Sequence, residues 1–129
     1  MNSKHLFLFF LATFLSYSSF EQSADNVKGL LCGKWISVQD SNEIMIVSST
    51  LIIQKNVSDS IGDTFTYLIS HKNCGVPFKL CEKNCFYVKE SNLTDKTDQC
   101  YLIKQIARTS LTLVHEGGQV LDFVKSLPQ

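Results

Sequence analysis

The chain has 129 residues, 44% of them hydrophobic, with 12 basic and 12 acidic side chains. That is enough for one domain with one modest core. The charges balance and no basic stripe occurs, which argues against nucleic acid and anionic membrane surfaces, whose binding depends on clustered Lys and Arg.

The first segment carries Lys4, an apolar run from Leu6 to Leu15 (LFLFFLATFL), and small residues at Ser16, Ser18 and Ser19. This is the pattern of a secretory signal. The run is far shorter than the roughly twenty residues a membrane-crossing helix needs. The expected organisation is a cleaved signal at 1–19 and a single secreted, extracellular domain at 20–129. Without Lys4, 11 basic residues remain against 12 acidic ones, a net charge near −1.

Glu21 to Asn26 is polar, and Val27 to Leu31 suits a short helical turn. Gly33 to Val38 reads as the first strand and holds Trp35, the one tryptophan. Gln39 to Asn42 is turn chemistry. Ile44 to Val47 and Ser49 to Ile53 are β-branched runs around a bend at Ser48 or Ser49. Lys55 to Thr64 reads as a loop, and Phe65 to Ile69 as the next strand.

Ser70 to Asn84 is the most irregular segment, with Gly75, Pro77 and two of the five cysteines. Cys85 to Lys89 is a short strand, Ser91 to Asp98 a polar turn. The chain ends in three apolar runs, Tyr101 to Ile106, Leu111 to His115 and Val120 to Val124. Glu116, Gly117 and Gly118 separate the last two, because tight hairpin turns use the positive φ that glycine permits. Alternation puts Leu111, Leu113 and His115 on one face, Phe65, Tyr67 and Ile69 on another, and Leu121 and Phe123 together, with Leu102 and Ile106 expected to meet them. Regular short strands in about a hundred residues indicate an all-β fold, a small antiparallel meander barrel of about eight strands.

Five cysteines, Cys32, Cys74, Cys81, Cys85 and Cys100, should mostly pair in an oxidising compartment. The preferred pairs are Cys85 with Cys100 and Cys74 with Cys81, stapling the domain. Cys32 is then left over, either as a buried thiol or as a tether for a dimer. Asn56-Val57-Ser58 and Asn92-Leu93-Thr94 are glycosylation sequons in turn-like segments.

Gly33-x-Trp35 opening the first strand, Tyr101-x-Ile103-x-x-Ile106, Leu111-x-Leu113, and Gly117-Gly118 before a final strand through Phe123 together resemble the calycin superfamily, especially short lipocalin-like barrels. The resemblance spans roughly Leu31 to Lys125. It implies that Trp35 closes the barrel floor. Such barrels usually bring an arginine of the last strand near that tryptophan, and here the last strand offers Lys125. The long lipocalins also carry a C-terminal helix that is not legible here.

The resemblance implies a secreted, non-enzymatic protein that carries a small hydrophobic ligand in the barrel, lined by Phe65, Tyr67, Ile69, Leu102, Leu113, Leu121 and Phe123. The same side chains would equally fill a solid core. The alternative is a protein-interaction module, an effector or inhibitor, whose contact surface is the loop from His71 to Cys85. His71, Cys74, Cys81 and Cys85 have the atoms of a zinc site, but the spacing His-x2-Cys-x6-Cys-x3-Cys is irregular and secreted cysteines are usually oxidised, so no metal or other cofactor is expected. Cys32, His71, His115, Glu116 and Asp122 are the candidates for a nucleophilic centre, yet none lies in a hydrolase motif and no catalytic residue is assigned.

Overall fold

The structure is a computed structural model that describes residues 23–75, 78, 81 and 84–127. The expected signal at 1–19 lies outside the described residues. Among the described residues one helix, α1 (Ala24–Leu31), precedes eight strands: β1 (Gly33–Ser37), β2 (Glu43–Val47), β3 (Leu51–Asn56), β4 (Asp63–Ser70), β5 (Phe86–Asn92), β6 (Asp98–Ile106), β7 (Ser110–His115) and β8 (Val120–Lys125). Each strand pairs antiparallel with the next, and β8 returns to β1 to close the barrel. The all-β meander expected from alternation is the observed architecture.

Every strand turns one row of side chains to the axis. The registers Trp35↔Met45, Met45↔Gln54, Gln54↔Asp63, Phe65↔Asn92, Tyr67↔Glu90, Glu90↔Gln99, Tyr101↔His115 and Leu113↔Leu121 carry that inner row around the ring. Its apolar part, with Val47, Ile52, Val88, Ile103 and Leu111, is the main core.

One expected interior residue, Leu102, lies elsewhere. It pairs with Tyr87 and Val114 and packs on the outer wall with Cys100. Alternation with the inward Tyr101 and Ile103 sends it out, and a register shift in β6 between Ile103 and Gln105 then reverses the alternation for the residues beyond. Leu102 and Ile106, four apart, therefore face opposite ways, and Ile106 packs on the inner core.

α1 closes one end. Ser23 caps it, its hydroxyl accepting the Asn26 N–H at 3.2 Å, and Val27 and Leu31 are buried. The indole Nε1–H of Trp35 donates to the Leu31 carbonyl at 2.7 Å. Lys125 donates its Nζ–H to the Leu30 carbonyl at 2.9 Å and lies 4.8 Å from the centre of the Trp35 ring. One ammonium thus satisfies a helix C-terminal carbonyl and a cation–π contact together. Gly33 permits the approach, since a Cβ there would meet Lys125 Cε at 3.0 Å, and its φ of +137° is one that side chains rarely adopt.

The disulfides are Cys74–Cys100 and Cys81–Cys85, with Cys32 free. The four expected cysteines are bridged, but with partners exchanged. Phe86 pairs with Ile103 and Lys89 with Cys100. Cys85, just before Phe86, is thus four positions along the ladder from Cys100, roughly 13 Å at strand spacing and beyond a disulfide's reach. The β4–β5 connection instead folds over the outer wall, where Phe78, Cys81 and Cys85 pack against Tyr87, Cys100, Leu102 and Val114.

Candidate functional site

The end opposite α1 is open. It is framed by the β1–β2, β3–β4, β5–β6 and β7–β8 connections, and it leads into a cavity of about 440 Å³. That volume lies in the range of small-molecule sites. Its apolar wall comes from Ile44, Met45, Tyr101, Leu121 and Phe123, with Ile61 at the rim. The β3–β4 loop shapes the rim because Gly62 lies against β3: a Cβ there would come within 2.5 Å of the Gln54 carbonyl oxygen and of Lys55 Cβ.

Charge is uneven around this opening. Glu43, Asp59 and Asp63 line it against Lys55 alone, and the Lys55 ammonium is turned to the Asp59 backbone carbonyl at 3.1 Å. The mouth therefore carries net negative charge.

Below the mouth a polar layer crosses the barrel. Glu90 on β5 faces inward and is only 1% exposed. Its Oε1 accepts from Gln54 Nε2 at 3.2 Å, while Oε2 has no hydrogen-bond partner among the described residues. Burial pushes this carboxyl from the ordinary 4.5 to about 7. The Tyr101 hydroxyl donates to Gln99 Oε1 at 3.0 Å, and His115 Nε2 lies 3.1 Å from the same oxygen. His115 Nδ1 accepts the Gly117 N–H at 3.1 Å, which leaves the Nε2–H to donate to Gln99. The Tyr101 and His115 rings meet edge to face at 5.2 Å. Burial first, then the neighbouring Glu90, raises the Tyr101 hydroxyl above the ordinary tyrosine range.

Of the seven residues expected to line a pocket, Leu121 and Phe123 line the cavity. Phe65, Tyr67 and Leu113 belong to the packed interior, with Ile69 against it. Leu102 is on the outer wall. Tyr67 donates its hydroxyl to the Ser48 carbonyl at 2.6 Å, and burial, with Cys32 beside it, pushes the phenol up to about 12. Trp35 sits, fully buried, at the end opposite the cavity mouth.

The candidates for a nucleophilic centre are not brought together. Cys32 follows α1 at the closed end, whereas His115 stands at the open end of β7. Asp122 is engaged by Thr112 and Gln39. His71 lies outside, 3.0 Å from the Cys85 carbonyl and stacked on Phe86. With Cys74, Cys81 and Cys85 in disulfides, the cluster considered for zinc is a stapled loop.

Of the two sequons, Asn56 is exposed on the cavity rim. Asn92 uses its Oδ1 to accept the Thr94 and Asp95 N–H groups at 2.8 and 3.3 Å in the β5–β6 turn.

Fold and site define a class: a closed, eight-stranded up-and-down barrel, plugged at one end and open at the other, with two disulfides of the kind found outside the reducing cytoplasm. Comparison with protein-family models, curated proteins and solved structures returns no match. Among the described residues no helix is long and apolar enough to cross a membrane.

Proposed function

We propose that this protein is a secreted, non-enzymatic carrier that holds a small, largely apolar molecule in the open half of the barrel, in the manner of lipocalin-like proteins. The carrying observation is the half-open cavity of about 440 Å³, with Met45, Leu121 and Phe123 in its wall. α1, Trp35 and Lys125 plug the far end, so a ligand enters and leaves by one mouth. Affinity then comes from apolar area removed from water, at about 25 cal/mol per Å² before the costs of ordering.

The test is native mass spectrometry of the protein secreted from eukaryotic cells, after enzymatic deglycosylation, before and after stripping with organic solvent. A stoichiometric added mass that vanishes on stripping is the expected result. An unchanged mass, together with failure to bind added apolar ligands, would overturn the reading. The same intact mass reports signal removal and glycan occupancy at Asn56 and Asn92.

A further inference from the structure

We propose that the ligand is a small organic amine, whose ammonium group pairs with Glu90 while its apolar body lies against Met45, Leu121 and Phe123. The inference rests on the carrier reading and narrows it to a ligand class.

Two independent features carry it. The first is the unmatched acceptor: Glu90 is 1% exposed, faces the barrel interior, and has one oxygen hydrogen-bonded to Gln54 and the other without a partner among the described residues. A buried carboxylate left half-satisfied is costly, and a donor brought by a ligand relieves that cost. Glu90 does not itself line the cavity, but Gln54, which is hydrogen-bonded to it, and Tyr101, whose hydroxyl feels its charge, both do, so an ammonium reaches the carboxylate by passing between these two side chains. The second feature is the acidic rim of Glu43, Asp59 and Asp63, which draws cations to the mouth and repels carboxylates.

The groups around Glu90 do not already supply the missing charge. Tyr67 on β4 and Gln99 on β6 are its register partners. Gln54 comes from β3, and Tyr101 from β6 with the Glu116 carboxylate also acting on it. His115 on β7 is engaged by Gln99 and Gly117, and Lys28 of α1 lies 5.5 Å over the Tyr67 ring. A ligand without a donor would leave Glu90 as it is, and a neutral hydroxyl would give it only an ordinary hydrogen bond. An ammonium group completes it by a charge-assisted hydrogen bond.

Octylamine, 1-octanol and octanoate, one chain with three head groups, are the probes, titrated calorimetrically into the stripped protein. At pH 8 the amine should bind at least about tenfold more tightly than the alcohol, as one charge-assisted hydrogen bond allows, and octanoate more weakly than either. Because the carboxyl titrates near 7, amine affinity should fall about thirtyfold from pH 8 to pH 5.5, while that of octanol stays level. Glu90→Gln should bring amine and alcohol to similar affinity.

A second readout uses the unmutated protein. Near pH 7 octylamine should release about half a proton, seen by repeating the titration in buffers of different ionisation heat, and octanol none. Equal binding of amine and alcohol with no proton release would overturn the amine assignment and leave the carrier reading standing. Failure of all three probes, with no ligand on the secreted protein, would overturn both.

Discussion

Glu90→Gln should make the unliganded protein more stable, and by an amount that grows with pH. In the folded barrel the carboxyl titrates at about 7, against 4.5 as its ordinary value, because burial disfavours the charged form. Between these two values the unfolded chain has lost the proton that the native chain keeps. Native stability therefore falls as pH rises through this window and levels off above about 7. At about 1.4 kcal/mol per pKa unit, the full penalty is about 3 kcal/mol at pH 8 and about 1 kcal/mol at pH 5. Glutamine keeps the shape and carries no charge, so its advantage over the unmutated protein should widen by about 2 kcal/mol between pH 5 and pH 8. Urea unfolding of both proteins at each pH measures this difference directly, and the comparison cancels titrating groups that the two share. Equal stability differences at pH 5 and pH 8 would refute the reasoning and place an ordinary, solvated carboxylate at this position.

Three further outcomes follow from the geometry. Lys125→Met should lower stability by about 1 to 2 kcal/mol in thermal unfolding, because both the Leu30 carbonyl and the Trp35 ring lose the ammonium. Replacing Cys74 and Cys100 together by Ala should cost about 3.5 kcal/mol in the chain-entropy model, for a bridge spanning 26 residues, and replacing Cys81 and Cys85 about 2 kcal/mol for one spanning 4. Chemical denaturation of the two double variants should thus rank the long bridge as the more important. Gly62→Ala should cost about 1 to 3 kcal/mol, since the new methyl meets β3 backbone rather than a movable side chain, and should weaken ligand binding through the displaced rim.

The barrel was legible in the sequence because alternation and turn residues agree along most of the chain. Leu111-x-Leu113-x-His115 and Phe65-x-Tyr67-x-Ile69 each face the interior as their period demands, and Gly118 takes a φ of +95° in the last hairpin. The reading of Leu102 went astray at the β6 bulge, which adds a residue without leaving a Gly or Pro to announce it. The disulfide partners depended on a ladder register that local loop closure does not reveal. Glu90 escaped for a related reason. It falls between the strand expected over Cys85 to Lys89 and the turn expected from Ser91, yet Phe86-x-Val88-x-Glu90 continues the inward row along β5. The polar layer of Gln54, Glu90, Gln99 and Tyr101 is assembled from three strands. Only the paired registers bring these side chains to one level of the barrel.

The way the barrel closes also has a kinetic consequence. Seven of its eight ladders join neighbours in the chain through connections that form locally, whereas the β1–β8 seam must bring distant ends together, with Lys125 reaching Leu30 across 95 residues. Three residue pairs hold that seam, against six between β4 and β5. Loop-closure entropy delays such a contact until the rest of the meander has collapsed. The seam is then the last part to form and the first to part, so weakening it should accelerate unfolding while leaving the refolding rate nearly unchanged.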